Sequence, residues 1–241
     1  MHPSPFHPQR TPKTIMDVFR KKKTIMDYFK PLKPSKPQAE EACATPSNEQ
    51  PSVKASTVVF EQPRQPEQKT TQYFVFTDGS QIRENRTHKS LSVSWAYVIK
   101  RRDGAVVHRD SGELPKSETN QRAELLSIYN AVKWCDRHLS DIVYDLNVYS
   151  DSDYSIKCLT LWVHSWKKSD WKNANKKPVK HKDVIEACFD LMGKLRRANR
   201  RVLLTHIRSH TNKTDFFATG NAEADQMASS VSKQAIARQR A

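Results

Sequence analysis

Residues 73–80, YFVFTDGS, form a short apolar run that carries one aspartate, Asp78, directly before a glycine. A strand that is apolar on both faces lies in the middle of a sheet, with other layers covering it. An unpaired carboxylate is costly in such a place. Asp78 must therefore pair with a cation of the chain, cap a turn or help to hold a metal ion.

The patterns after this run predict an α/β fold, because three strands are followed by helix, strand, helices, strand and helix. Short polar turns join the first three strands, which is typical of a meander. This order predicts a mixed sheet with helices packed on it. The further strands are predicted at 91–102, 105–114, 142–152 and 201–210. The long helices are predicted at 119–139, 183–198 and 220–235, with Thr119 as the N-cap of the first.

Composition divides the chain into three parts. Residues 1–36 are a basic tail with a net charge of +7, and residues 71–238 are the predicted folded domain, since 71–241 carry +10. Between them, 37–70 carry −2 and are rich in Pro, Ser, Gln and Glu, which predicts a disordered linker. The total of +15 indicates a polyanionic partner.

Several classes of protein are disfavoured by what the sequence lacks. Its four cysteines form no C-x-x-C pair, which argues against a zinc knuckle and a disulfide framework and suits a reducing compartment. No run approaches the roughly 20 apolar residues of a membrane span, and none resembles a secretory signal. We therefore expect an intracellular, soluble monomer without a membrane segment.

Four acids fall at comparable places in the predicted elements. Asp78 ends the first strand and Asp151 the fourth, so their carboxylates meet if these strands are neighbours. Glu124 lies in the first turns of the first long helix, and Asp225 near the start of the last. Carboxylates sharing one pocket raise each other's pKa unless a cation is present, and oxygen ligands favour Mg²⁺ or Mn²⁺.

Two such ions about 3.5–4 Å apart can activate a water and stabilise the leaving oxygen of a phosphodiester. Each acid alone has a simpler interpretation: Asp78 before a glycine caps a turn, and the helical acids complement helix dipoles. The four together, in matching order and context, favour the two-ion site.

Five motifs between residues 72 and 235 resemble those of type 1 ribonuclease H: FTDGS, TNQRAEL, SDSDYSIKCLTLWVHSWKKSDWK, KKPVK and IRSH…GNAEADQMA. The resemblance implies a ribonuclease H-like fold, a five-stranded mixed sheet flanked by helices with a basic helix–loop protrusion. It implies an endonuclease that cleaves the RNA strand of RNA–DNA hybrids to 5′-phosphate and 3′-hydroxyl products, in R-loops, replication primers or similar hybrids.

The resemblance also implies the residues of the site. Two Mg²⁺ ions, with Mn²⁺ able to substitute, fall to Asp78, Glu124, Asp151 and Asp225. His210 matches the mobile histidine of the family, which assists product release or proton transfer; its alternative is an exposed loop histidine. The implied substrate-binding residues are Ser80, Thr119, Asn120, Gln121, Trp162, Trp166, Lys167, Lys168, Lys177, His181 and Asn221.

Residues 162–182 interleave tryptophans with seven lysines. A charge run is usually a solvated face, but this mixture suits lysines on phosphates and indoles on sugars or bases. Trp162 and Trp166 match DNA-strand contacts of the family, whereas Trp171 is expected to pack. The RNA strand is recognised by its 2′-hydroxyl groups, for which Asn120 and Gln121 match the family's minor-groove residues.

The chain departs from the family pattern in four places. Ser117 stands where some relatives have arginine, and His181 where asparagine is usual, which affects the phosphate pocket around Thr119. The loop after Asp78 lacks glycines common in relatives. The segment between His210 and Asn221 is longer than usual, and its two phenylalanines, Phe216 and Phe217, are expected to pack rather than form an exposed patch.

Residues 13–30 contain a duplication, TIMDVF at 14–19 and TIMDYF at 24–29. The spacing of Ile25, Tyr28 and Phe29 resembles the peptide that docks replication proteins on the sliding clamp, although Pro12 and Lys22 replace its leading glutamine. A mitochondrial presequence is the alternative. RKKK at 20–23 is typical of a nuclear address, so we expect a nuclear protein, with the mitochondrion as the alternative.

Two other functions compete with the nuclease. A non-catalytic hybrid-binding or clamp-adaptor protein would have no need of four clustered carboxylates. A nuclease fragment derived from a retroelement fits poorly with the free-standing tail.

Overall fold

The computed structural model describes residues 70–140, 142–209 and 214–240. The predicted tail with its clamp-docking residues Ile25, Tyr28 and Phe29, nearly all of the predicted linker, and His210 lie outside these ranges. The boundaries drawn for the tail and the linker therefore stay predictions.

Five strands form one mixed sheet in the order β3-β2-β1-β4-β5. β1 pairs antiparallel with β2 and β2 with β3, while β1 pairs parallel with β4 and β4 with β5. The predicted meander and mixed sheet are thus confirmed, and β1 has the central position that its apolar run predicts. The strands are β1 Thr71–Arg83, β2 Ser90–Lys100, β3 Val106–Leu114, β4 Tyr144–Ser150 and β5 Arg201–His206.

Helices cover both faces of the sheet. α1 packs on β1, β2 and α4, and α5 packs on β1, β2 and β3. Since successive side chains of a strand point to opposite faces, Gly79 faces α1 while Phe76 faces α5. The helical elements are α1 Asn120–His138, α2 Asp153–Lys157, a π-helical turn Cys158–Trp162, α3 Val163–Lys168, α4 Lys182–Arg197 and α5 Phe216–Arg240.

Among the element boundaries that differ from the prediction, two concern acids of the site. Asp78 does not end its strand, because β1 stays paired with β2 as far as Arg83; only its pairing with β4 stops, at Thr77. α5 begins at Phe216, so Asp225 lies in its third turn rather than near its start. The aromatic pair at 216–217 explains the early start, since Phe216 packs on Phe74 and Phe76.

The cysteines and the helices of the described residues have the following properties. Cys135, Cys158 and Cys188 are buried and free of disulfide bonds. Within 70–140, 142–209 and 214–240, no helix has the length and apolar character needed to cross a bilayer.

Candidate metal centre and nucleic-acid interface

Three of the four predicted ligands meet where β4 ends. Parallel pairing of β1 with β4 finishes at the Thr77–Ser150 pair, so the next residue of each strand is an acid, Asp78 or Asp151. Glu124 joins them from the second turn of α1. One carboxylate oxygen from each of the three acids lies within 4.8 Å of those of the other two. The expectation that neighbouring strands bring Asp78 and Asp151 together is confirmed.

The glycine after Asp78, Gly79, is required by the close approach of α1 and not by a turn. A Cβ at this position would lie 2.6 Å from the backbone nitrogen of Glu124 and 3.0 Å from the carbonyl carbon of Ala123. Any larger residue would push α1 away from β1. The glycine therefore allows the helix backbone to approach the strand closely enough for Glu124 to reach Asp78.

Burial and mutual repulsion disfavour negative charge in this cluster. Asp78 is 6% exposed and Glu124 is 5% exposed. Burial, together with the charges of Asp151 and Asp225, raises the pKa of Asp78 to about 8, although the Gly79 N–H opposes the shift. The pKa of Glu124 is also raised well above its usual value, by burial first and then by Asp78 and Asp151. Without an added cation, the site favours protonated acids.

The hydrogen bonding of Glu124 fits a metal ligand. Asn120 Nδ2 donates to its Oε1 over 3.3 Å. Its Oε2 is buried and has no hydrogen-bond partner in the described part of the chain. No ion pair there involves Asp78, Glu124 or Asp151. Buried carboxylate oxygens without protein donors are what a hard divalent cation needs as ligands.

Asp225 approaches the cluster from the opposite face of the sheet. It is half-buried on α5, and its charge contributes to the raised pKa of Asp78. It is not part of the group of three whose oxygens lie within 4.8 Å. The described residues thus form a tight trio with a fourth acid beside it.

Two residues predicted to bind a phosphate, Thr119 and His181, lie close together at the start of α1. Thr119 caps this helix by accepting a hydrogen bond from the Arg122 N–H, as predicted. Its Oγ1 lies 3.2 Å from Nε2 of His181, which is held in a left-handed conformation, with φ of 59°, just before α4. The Arg122 guanidinium donates to both oxygens of Asp183, so one ion pair fixes the helix starts that carry Thr119 and His181.

The predicted basic protrusion, residues 162–182, exposes one of the two tryptophans predicted to contact the DNA strand. Trp162 is 37% exposed, and its ring lies 5.7 Å from that of Trp166. Trp171 is 7% exposed beneath Lys182, so it packs as predicted. Lys167 binds Asp190 over 3.1 Å and lies over the Phe189 ring, which ties this lysine to α4.

The remaining predicted contact residues differ in accessibility. Gln121, Lys168 and Lys177 are exposed, and Ser80 is half-buried on β1. Asn221 is buried in α5, and its Oδ1 has no hydrogen-bond partner among the described residues. The role predicted for His210 stays a prediction because that residue lies outside the described ranges.

Two features of the site were not anticipated from the sequence. His206, at the end of β5, places Nε2 3.1 Å from the backbone oxygen of Asp151; its position follows from the parallel pairing of β4 with β5. The π-helical turn between α2 and α3 contains Trp162. Such turns are frequent at functional sites, but no sequence pattern distinguishes this one from an ordinary helix.

Comparison with known proteins identifies the family. The RNase H family model matches residues 70–233, well over half of the chain. A ribonuclease H of Thermosynechococcus vestitus is 34% identical over 140 residues, which cover 58% of this chain and 78% of that protein. The chain therefore belongs to the RNase H family.

A ribonuclease H of Schizosaccharomyces pombe is 41% identical over 113 residues. This match covers 47% of the chain and 36% of the relative, so the chain spans about a third of that protein. Solved structures agree on the fold. The PFV RNase H domain gives a TM-score of 0.56 at 23% identity, covering 68% of this chain and 96% of that domain. LC9-RNase H1 gives a TM-score of 0.55 at 18% identity, covering 70% of this chain and 75% of that chain.

Proposed function

We propose that the chain is a metal-dependent endonuclease that hydrolyses the RNA strand of RNA–DNA hybrids. The observation that carries this proposal is the trio of buried Asp78 and Glu124 with half-buried Asp151, which forms no ion pair with a Lys or Arg among the residues that the structure describes. Proteins named ribonuclease H that are 41% and 34% identical to the chain support the same reaction. The net charge of +15 suits the polyanionic substrate.

The four acids would hold two Mg²⁺ ions, for which Mn²⁺ substitutes. When bound, this pair of ions supplies an activated water and neutralises the charge that develops on the leaving oxygen. The chain's own contribution is to hold Asp78 and Glu124 in a site where water competes poorly for the ligand positions. Asn120 orients Glu124 through the hydrogen bond to its Oε1.

Two surfaces would distinguish the strands of the hybrid. Asn120 and Gln121 lie at the start of α1 beside the acids, where amide groups suit the 2′-hydroxyl groups of RNA. Thr119 and His181 form a small polar pocket that suits a phosphate of the DNA strand. The indole of Trp162, exposed on the protrusion, suits stacking on a sugar or base of that strand.

A fluorescent RNA–DNA hybrid assay tests the proposal. We expect cleavage of the RNA strand with Mg²⁺ or Mn²⁺, products ending in 5′-phosphate and 3′-hydroxyl, and no cleavage with chelator or with duplex DNA. His210→Ala is expected to slow turnover without abolishing it. Binding without cleavage in either metal would reject the nuclease and favour a hybrid-binding adaptor.

We also propose that residues 13–30 dock on a replication sliding clamp in the nucleus, with mitochondrial targeting as the alternative. The duplicated TIMDVF and TIMDYF motifs support this. A pull-down with the full chain and with Phe29→Ala tests it. Clamp capture that the substitution abolishes supports docking; equal or absent capture by both proteins rejects it.

A further inference from the structure

α5 carries Asp225 to the metal centre, and one close contact sets how deeply this helix sits on the sheet. Gly220 lies directly on the ring of Phe76. A Cβ at this position would fall 2.4 to 2.5 Å from three ring atoms, Cδ2, Cε2 and Cζ. Side chains do not approach this closely, so only glycine fits between the helix and the ring.

The ring of Phe76 is fully buried and held from two sides. It stacks on Tyr149, with ring centroids 5.4 Å apart, and meets Phe216 edge to face at 5.6 Å. Because cores are close-packed, such a ring cannot turn aside without displacing its neighbours. A side chain at Gly220 would therefore move the helix rather than the ring.

A second contact fixes α5 further along. The Ser94 hydroxyl on β2 donates to the backbone oxygen of Ala228 over 2.7 Å, and its oxygen lies 2.8 Å from Oγ of Ser232. All three residues are buried. In the sheet, Ser94 pairs with Ser80, two residues beyond Asp78.

The spacing between the contacts matches the position of Asp225. Asp78 follows Phe76 by two strand residues, about 6.6 Å. Asp225 follows Gly220 by five helix residues, about 7.5 Å. Contact of Gly220 with Phe76 therefore places Asp225 level with Asp78, between the two points where α5 is fixed.

We propose that Gly220 is a positioning residue: by letting α5 rest on the Phe76 ring, it brings the Asp225 carboxylate to the metal centre. The inference rests on the proposed function, since it assigns Asp225 as a ligand. Gly220 itself touches neither metal nor substrate.

Gly220→Ala tests this inference in the full chain, with Gly193→Ala as the matched control. Both glycines lie inside helices, where alanine has the higher intrinsic propensity, but a Cβ at Gly193 would meet its nearest atom at an ordinary 3.6 Å. We expect Gly220→Ala to weaken Mn²⁺ binding, measured by calorimetry, by about 10-fold or more. The kcat of this variant for hybrid cleavage should fall by a similar factor. Its KM for the hybrid should stay near wild type.

Phe76→Val in the Gly220→Ala background provides the rescue, because valine lacks all three ring atoms that the new methyl group would meet. Recovery of Mn²⁺ affinity in this double variant supports the positioning role, and it decides the matter even if Gly220→Ala alone folds poorly. Equal Mn²⁺ affinity in Gly220→Ala and Gly193→Ala would overturn the inference, as would a folded double variant that fails to recover. An inactive wild-type protein that binds Mn²⁺ would instead reject the proposed nuclease and leave this comparison intact.

Discussion

Two regions of the sheet hold buried aspartates, and they treat the charge in opposite ways. Asp145, near the start of β4, is 1% exposed, and the guanidinium of Arg201 donates to both of its oxygens over 3.2 and 2.9 Å. Gln72 donates to it as well, over 2.9 Å. At the other end of the same strand, Asp151 meets Asp78 and Glu124, and no Lys or Arg of the described residues pairs with any of them.

This difference separates a structural acid from a functional one. A buried carboxylate with an arginine and an amide donor is complete within the fold. A cluster of three acids, two of them buried, repels itself and lowers stability unless something from outside neutralises it. The protein therefore retains an unfavourable arrangement at one end of β4, and a divalent cation is the partner that the donor set fits.

The largest expected effect is on catalysis. Asp151→Asn should lower hybrid cleavage by about 10³-fold or more, since the site loses a carboxylate ligand for the ions that neutralise the leaving oxygen, while hybrid binding measured by anisotropy persists. Asp153→Asn, two residues away and paired with Lys157 at the surface, is the control and should cleave at the wild-type rate. Full-rate cleavage by Asp151→Asn would rule out the assigned centre.

Removal of the internal cation should have the next largest effect. Arg201→Met removes the guanidinium that neutralises buried Asp145 and should lower the free energy of unfolding by about 2–3 kcal/mol, measured with urea. Asp145→Asn in the same background should restore part of the loss. Arg238→Met removes only an exposed pair with Glu113 and should change stability by less than about 1 kcal/mol. Equal effects of the two arginine substitutions would contradict the claim that Arg201 stabilises the protein by neutralising a buried carboxylate.

The trio should respond to pH in a characteristic direction when no metal is bound. The pKa of Asp78 is raised from 3.8 to about 8 by burial and nearby acids, so the folded protein holds a proton that the unfolded chain has lost between these values. Stability in chelator should therefore fall as pH rises from about 4 to about 8. Asp78→Asn should flatten this slope and stabilise the metal-free protein at pH 8 by at least about 1.4 kcal/mol. A variant less stable than wild type at pH 8 would contradict the account.

The smallest effect should come from Gln72, the amide donor to Asp145. Gln72→Leu removes one hydrogen bond to Asp145 and should lower the free energy of unfolding by about 0.5–1.5 kcal/mol, with hybrid cleavage unchanged. Asn120→Leu removes the donor to Glu124 and should instead lower the cleavage rate. If both variants changed only the free energy of unfolding, or both lowered the cleavage rate, the distinction between the structural acid Asp145 and the functional acid Glu124 would be wrong.

Much of the fold follows from the sequence because its signals are local. The apolar run at 73–76 predicts a central strand, and the alternation at 93–99 predicts its neighbour. The sequence also predicts that Asp78 and Asp151 meet if the first and fourth strands are neighbours, and the parallel pairing of β1 with β4 meets this condition. Thr119 is recognisable as a cap from its residue type and the helical pattern after it.

The remaining features depend on contacts between distant parts of the chain. Asp145 finds Arg201 56 residues later, and nothing near Asp145 in the sequence separates it from the ligand acids. The interpretation of Asp78-Gly79 as a turn is wrong. A glycine is needed there because the backbone of α1, 45 residues later in the chain, packs against it. Likewise, the start of α5 depends on the packing of Phe216 on β1.

Calorimetric titration of Mn²⁺ into the full chain at pH 7, repeated in two buffers of different ionisation enthalpy, tests the cation-deficient trio most directly. Because burial and nearby acids raise the pKa of Asp78 to about 8, this acid holds a proton at pH 7 before the metal arrives. Metal binding should therefore release protons, and the observed heat should differ between the buffers. Asp78→Asn should bind more weakly and release fewer protons. Identical heats in both buffers, or unchanged binding by the variant, would contradict the claim that these acids await an external cation.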